Sequence, residues 1–329
     1  MNTYGTLFKI TLYGESHQSA IGVVIDGMPA GILIDQKLIK ADLIKRQPGA
    51  VGTTPRKEED EFDITSGVFN GYSTGAPIHL MIRNQNVRSQ DYDHLKKQPR
   101  PGHADFVAEV KYRGFQDHRG GGRFSGRLTA ALVAAGAIAK MTIPFKLSHQ
   151  LLSVGTLKDL SKIDDYLQEI ASQGDSVGGV IQVKATNMMV GLGEPFFSKL
   201  DAEIGKMMLS IPAVKGVEIG TGFEGASWLG SQFNDEIIDH EGHTKTNHSG
   251  GVTGGISNGN DLLVKVMIKP TSSIQKTQET FHFGTERMEP LDVAGRHDVC
   301  IARRAGIVLE NVLAIVLADQ YLMFKAYRP

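Results

Sequence analysis

The sequence predicts an α+β protein, one compact unit in which short strands alternate with helices and lead twice into a long buried helix. Three observations carry this. Residues 128–138 have almost no polar residue on any face, the pattern of a helix surrounded by protein on all sides. A second long apolar helix is predicted from residue 304 to about residue 325. Before each of them lie short segments of alternating hydrophobicity separated by Gly- and Pro-containing turns, which read as strands.

Totals bound the answer before any motif does. The 329 residues are 41% hydrophobic, ample for a large core, and the absence of low-complexity segments or long linkers argues for a single domain over residues 1–329. Thirty-five basic residues against 36 acidic ones give a net charge of −1, so no global field recruits nucleic acid or an anionic membrane, and any anion site is local. The apolar stretch at 128–138 is too short to span a membrane, which needs ~20 residues. One cysteine, Cys300, excludes an internal disulfide and fits a reducing compartment; with no signal-peptide pattern at the start, the expected location is cytoplasmic.

Taken in order, residues 6–13 and 21–25 read as strands flanking the loop that holds His17, and a lone loop histidine is ordinarily a surface residue. Residues 36–46 pattern as a helix that stops before Pro48-Gly49, with Lys40, Lys45 and Arg46 at its end, where cations complement the helix dipole. Gly67, Gly71, Ser73 and Gly75 recur at identical spacing as Gly251, Gly255, Ser257 and Gly259, each set running into a strand, at 78–82 and at 262–268. Together with a helix in each half, at 36–46 and at 197–210, this predicts an internal duplication with halves of about 1–150 and 151–329. His103 lies in a turn just before a helical pattern, which presents its imidazole outward. Ile163, Tyr166, Leu167 and Ile170 mark one helix closed by Gly174; Phe197, Leu200, Ile204, Met207, Met208 and Ile211 mark another apolar stripe, predicted as core. His240, His243 and His248 match no zinc spacing, so no metal is expected and a solvated loop is the reading for His240 and His243.

The loop Arg119-Gly120-Gly121-Gly122-Arg123 joins directly onto the buried helix. Three glycines leave backbone N–H groups accessible at positive φ, Arg119 and Arg123 add charge, and Ser125 is placed to cap the helix, an arrangement suited to an anion. It is neither a P-loop nor a dinucleotide fingerprint. A glycine turn that merely feeds a core helix is the alternative. Lys269, Pro270, Thr271, Ser272 and Ser273 form a second donor-rich loop, and Arg296 and Asp298 project on one face of an extended segment.

The motifs GESH at 14–17, RPGHAD at 100–105, RGGGR at 119–123, KPTSS at 269–273 and GRHD at 295–298, in this order, resemble the chorismate synthase family over essentially the whole chain. The resemblance implies a β-α-β sandwich with long central helices between two antiparallel sheets, a pseudo-twofold repeat and a homotetramer. It implies a carbon–oxygen lyase of the shikimate pathway and aromatic amino acid biosynthesis. The reaction is the 1,4-anti-elimination of phosphate from 5-enolpyruvylshikimate 3-phosphate to give chorismate, with reduced FMN as cofactor and NAD(P)H only as an indirect reductant. By the same resemblance His17 protonates the departing phosphate, His103 lies near flavin N1, and Asp298 relays a proton at flavin N5. FMN contacts fall on Arg123, Phe124, Ser125, Pro212, Ala213, Gly254, Lys269, Pro270, Thr271, Ser272, Ser273 and Arg296. Substrate contacts fall on Arg46, Arg100, Arg127 and Arg296.

The chain also departs from the family pattern. A second arginine after Arg46 is missing from a loop that is one residue short, and Arg56 is expected to take its place. Phe124 stands where a serine would face the flavin, Leu128 replaces a helix glutamate, Gln18 follows His17 in place of glycine, and Val299 replaces a proline. Two other readings therefore stay open: an FMN-dependent NAD(P)H oxidoreductase on the same scaffold, and a weakly active or non-catalytic flavin-binding relative.

Overall fold

The first antiparallel sheet begins with β1 (Thr3–Tyr4), β2 (Lys9–Gly14) and β3 (Ala20–Asp26) in a computed structural model that describes residues 1–54, 59–85, 95–293, 295 and 297–327. Helix α1 (Gln36–Arg46) follows, then β4 (Phe62–Ser66), a small hairpin of β5 (Val68–Phe69) and β6 (Tyr72–Ser73), and β7 (Ile78–Arg83). The strand order is β1-β2-β3-β7-β4. Asp35 caps α1 by accepting the Lys37 amide at 2.9 Å, and the Gln47-Pro48 step ends it, as the sequence predicts. The first predicted strand starts three residues late for a physical reason. The amides of Thr6, Leu7 and Phe8 do not enter the ladder but converge on the buried Asp319 carboxylate at 2.7 to 3.0 Å.

Helices α2 (Asp105–Tyr112) and α3 (Thr129–Lys140) come next. Strand β8 (Lys146–Val154), α4 (Ile163–Ser172), β9 (Gly179–Thr186), α5 (Leu200–Leu209) and β10 (Val214–Ile219) are followed by a single turn, α6 (Gly230–Phe233). A second small hairpin, β11 (Val252–Thr253) with β12 (Ile256–Ser257), leads into β13 (Leu262–Ile268). This sheet has the order β10-β13-β9-β8. An outlying hairpin of β14 (Gln278–His282) and β15 (Arg287–Leu291) precedes the long helix α7 (Ala302–Tyr327).

The two small hairpins duplicate one another closely. Val68 pairs with Ser73 and Val252 with Ser257. Gly67, Gly71 and Gly75 have φ of 81°, 82° and 88°, against 85°, 89° and 89° for Gly251, Gly255 and Gly259. In each, a buried serine hydroxyl bridges back to the strand-to-helix connection: Ser73 donates to the Pro29 carbonyl at 2.6 Å and accepts the Ile32 amide, while Ser257 donates to the Met189 carbonyl at 2.6 Å and accepts the Leu192 amide.

Helix α3 lies against β2, β3 and β7 on one side and against α7 on the other; α7 in turn lies on β8 and β9, with α5 beside it. Every residue of α3 from Thr129 to Ala139 is buried, as predicted. The two helices approach so closely at Gly136 that a Cβ there would stand 2.3 Å from the Asn311 carbonyl oxygen. Helix α7 is long and apolar enough to cross a bilayer by length and composition, yet most of it is buried in protein. It is a core helix, and it carries buried polar groups that a core helix must satisfy. Lys140 Nζ bridges Asp42 at 2.7 Å and Glu310 at 2.6 Å, His149 Nδ1 lies 2.6 Å from Glu310, and Asn311 donates to Asp42. Burial pushes both carboxyls up, but Lys140 and the other donors outweigh it and hold Asp42 and Glu310 below their ordinary range.

One predicted core residue is not in the core. Phe197 is fully exposed at a φ of 56°, because α5 starts only at Leu200, whose amide is drawn to the Gly255 carbonyl at 2.8 Å. The rest of that stripe, Leu200, Ile204, Met207, Met208 and Ile211, is buried.

Candidate active site

The glycine loop works at close quarters. Gly120, Gly121 and Gly122 have φ of 58°, 78° and 49°, a run that only glycine holds without strain. The space left by the missing side chains is taken by histidines. A Cβ on Gly120 would lie 2.4 Å from His17 Nε2, and one on Gly121 would lie 3.6 Å from His103. His17 is 5% exposed, so the expectation for a lone loop histidine, a surface position, does not hold here. The loop's charges have partners within the protein. Arg119 is paired with Asp117 at 2.7 Å, which holds that carboxyl down at about 2. Arg123 donates to the Gly14 carbonyl at 3.0 Å and to Asn2 at 2.6 Å, so in this chain it ties the loop to β2. Ser125 accepts the Arg127 amide at 3.3 Å and so caps the 3-10 turn Gly126–Leu128 rather than the buried helix itself, whose N-cap position is Leu128.

On one side of the loop two arginines share a carboxylate. Arg46, the last residue of α1, donates from Nη1 to Asp60 at 3.0 Å, from Nε to Thr129 Oγ1 at 3.0 Å and from Nη2 to the Gly126 carbonyl at 3.1 Å. Arg127 donates from Nη1 to the other oxygen of Asp60, from Nε to Asn84 at 3.0 Å and from Nη2 to the Arg83 carbonyl. Asn84 then donates to the carbonyls of Glu15 and Gln18 at 3.0 and 2.8 Å, which joins the arginines to the loop that carries His17. Gln18, the residue that departs from the family pattern after His17, donates to Asp117 at 2.9 Å and fastens the same loop to the glycine turn.

On the other side stands the turn before α2. Arg100 grips Asp105 with Nε and Nη2 at 2.8 and 2.9 Å, a bidentate pair, and its Nη1 donates to Ser273 Oγ at 3.0 Å. His103 Nδ1 lies 2.6 Å from the same carboxylate. Burial pushes the Asp105 carboxyl up, but the hydrogen bonds from Arg100 and His103 dominate and hold it well below the usual carboxylate range. Ser272 donates to the Gly102 carbonyl at 2.7 Å, so the loop 269–273 is docked on this turn. Lys269 Nζ reaches the Gly102 carbonyl and Ser272; burial, then Lys215, lowers its pKa. Thr271 donates to the backbone carbonyl of Asp298 at 2.7 Å. The Asp298 carboxylate accepts Arg304 Nη2 at 2.7 Å and the Thr54 amide at 2.9 Å, and the backbone from Gly52 to Thr54 runs back to Arg46. His17, His103, Arg100, Ser273, Asp298, Arg46 and Arg127 form an open ring about the glycine loop, in which His17 and His103 are related through Gly120 and Gly121 and Asp298 is related to Arg46 through the intervening chain that ends at Thr54.

Next to His103 and Gly121 opens a cavity of about 350 Å³ walled by Phe106, Phe124, His118 and Phe283. Ala213, next to Pro212, meets the loop 269–273 instead, its carbonyl accepting the Lys269 amide at 2.9 Å. Gly254 is not brought to this cluster. It lies in the β11–β12 turn, at the end of β13 opposite Lys269, about 20 Å away at ~3.4 Å per strand residue. Arg296 and Arg56 lie outside the described residues. Two groups that sequence reasoning missed are Asp105 and Asp60. Asp105 is two residues from His103 in one turn and was within reach of a careful reading. Asp60 sits in a run of charges at 56–61 that reads as a solvated face. Among the described residues no cluster of His, Cys, Asp and Glu is placed to hold a metal ion.

What such a ring can do is hold a small polyanion and move protons beside it, the work of an acid–base enzyme acting on an anionic metabolite. The family profile described as chorismate synthase matches residues 8–322, and the chain belongs to that family. A chorismate synthase of Chitinophaga pinensis is 50% identical over 326 residues, covering 98% of this chain and 97% of the relative. That of Archaeoglobus fulgidus is 43% identical over 355 residues, covering 98% of each. A solved structure titled "Crystal Structure of Chorismate Synthase" superposes with a TM-score of 0.74 at 29% identity, covering 97% of this chain and 93% of the other.

Proposed function

We propose that the protein converts 5-enolpyruvylshikimate 3-phosphate to chorismate and phosphate by 1,4-elimination. The observation that carries this is the seating of His17 and His103 against successive glycines of one loop, between Arg46 and Arg127 on one side and Arg100 on the other. The elimination needs a proton donor where phosphate leaves and cationic groups that hold a highly charged substrate in place. His17 serves as the acid for the departing phosphate. Arg46, Arg100 and Arg127 supply the positive charge that holds and orients the substrate. Buried and locked by carboxylates, they lose little entropy when ligand arrives. Asp298, fixed by Arg304 and the Thr54 amide, is the carboxylate that would relay the proton received from flavin N5.

An aromatic-walled cavity beside His103, lined by Phe124, supports the reading that FMN binds there, with Lys269, Ser272 and Ser273 of the loop docked on the His103 turn as further residues that would hold it. Bound in its reduced form, FMN supplies an electron-rich ring that eases loss of an unactivated C–H proton. No observation favours the NAD(P)H oxidoreductase, and NAD(P)H enters this reading only as an indirect reductant. The protein is read as a cytoplasmic homotetramer. It is further read as a duplicated β-α-β sandwich, for which the matching strand orders and the paired small hairpins are the support. Anaerobic incubation of the protein with reduced FMN and 5-enolpyruvylshikimate 3-phosphate tests the function. Stoichiometric chorismate and phosphate are expected, and substrate recovered intact alongside bound flavin refutes it.

A further inference from the structure

We infer that Asp60 is the positioning residue that sets the geometry of the substrate-binding arginines. This rests on the reading of Arg46 and Arg127 as substrate ligands. Asp60 is not adjacent to either in sequence, and its side chain is 1% exposed. Each carboxylate oxygen takes one guanidinium: Oδ2 accepts Arg46 Nη1 at 3.0 Å, and Oδ1 accepts Arg127 Nη1. Those arginines come from different elements, the end of α1 and the turn before α3; Arg46 also reaches the Gly126 carbonyl beside Arg127, but that backbone contact does not itself join the two guanidinium heads. The shared carboxylate does. It also lowers the cost of placing two like charges side by side in a buried site, leaving a net charge of +1 across the three groups rather than +2.

The remaining contacts fit a positioning device. Thr129 and the Gly126 carbonyl hold Arg46 from one side, and Asn84 and the Arg83 carbonyl hold Arg127 from the other, so each guanidinium plane is fixed at three points. Asn84 carries the same alignment on to the carbonyls beside His17. Asp60 thus acts on the substrate through the arginines and not by contact. A purely attractive view of the site gives the opposite expectation, that deleting a buried negative charge strengthens the hold on an anion.

The Asp60→Asn variant separates the two. Asparagine keeps one acceptor oxygen and turns an NH2 group toward the other guanidinium, which must then swing away. Steady-state kinetics with reduced FMN should show the KM for 5-enolpyruvylshikimate 3-phosphate raised at least tenfold, kcat reduced severalfold less than KM rises, and FMN affinity held within about twofold. Asp60→Glu, which keeps the charge and shifts it by one methylene, should fall between Asn and wild type, and it serves as the second variant where Asn does not yield folded protein. A KM unchanged or lowered in Asp60→Asn, or a loss confined to kcat, overturns the inference. Arg46→Lys and Arg127→Lys are measured alongside. Lysine cannot form the planar fork, so KM should rise in both. If it rises in these and not in Asp60→Asn, the positioning role alone fails; if it rises in none, the assignment of the arginines fails with it.

Discussion

Gly120→Ala puts the geometry of the glycine loop to a direct test. The new Cβ would stand 2.4 Å from His17 Nε2, 2.5 Å from its Cδ2 and 2.9 Å from Ser16 Oγ, where ordinary contact begins at 3.4 Å. The imidazole must therefore retreat by about 1 Å, and its 5% exposure leaves it no open solvent to retreat into. Displacing a reacting group by about 1 Å costs on the order of 10²-fold in rate, equivalent to ~2.7 kcal/mol at 1.36 kcal/mol per tenfold. The substitution also strains a backbone at φ 58°, which costs roughly 1–2 kcal/mol of stability. Gly121→Ala separates these effects. It carries the same kind of strain, at φ 78°, but its Cβ would meet His103 at 3.6 Å, an ordinary contact. Both variants should lose stability in urea melts, Gly120→Ala by ~1–3 kcal/mol more because its Cβ overpacks His17 and Ser16. Only Gly120→Ala should lose about 10²-fold in kcat, measured as anaerobic phosphate release with saturating reduced FMN. Equal rate losses in the two variants, or a Gly120→Ala rate within threefold of wild type, would refute the placement of His17 as the acid.

Three further outcomes are expected. Asp105 has its folded pKa depressed, so its stabilising effect is present above the unfolded carboxylate value of ~3.9 and is lost as pH falls below it; Asp105→Asn should be less stable than wild type at pH 7, with the gap closing below about pH 4, and a gap independent of pH contradicts the assignment. Lys140→Met leaves the Asp42 and Glu310 carboxylates buried without their shared cation, and should destabilise the protein by roughly 3 kcal/mol in chemical denaturation, at the low end of ~3–5 because Lys45 and His149 remain as partners; a change under about 1 kcal/mol would mean the network is not held by Lys140. Asp319→Ala removes the Oδ1 atom that accepts the amides of Thr6, Leu7 and Phe8, so exchange of those three amides with solvent should accelerate and stability should drop by about 1–3 kcal/mol, while unchanged protection would show that the pairing of β1 with β2, not the carboxylate, orders the N-terminus.

Local patterns made much of the fold legible. The boundaries of α1 and β13 can be read from the sequence because capping by Asp35, the stop at Pro48 and the alternation from Leu262 to Ile268 are local signals, independent of what lies opposite. The buried α3 is likewise written in its own composition. Where a long-range partner competes for the backbone, local reading fails. Asp319 lies 311 residues from Phe8 and takes the amides that alternation assigns to a strand, and Gly255 pulls the start of α5 past Phe197. The site divides in the same way. The resemblance of five motifs to one family, not residue type or spacing alone, singled out His17, His103, Asp298 and the arginines. That His17 is buried against Gly120 was decided by tertiary structure alone, as was the diversion of Arg123 to the carbonyl of Gly14 and the hold of Asp60 on two arginines. Burial and pairing of charge depend on which segments meet, and a sequence fixes a charge without fixing its neighbour.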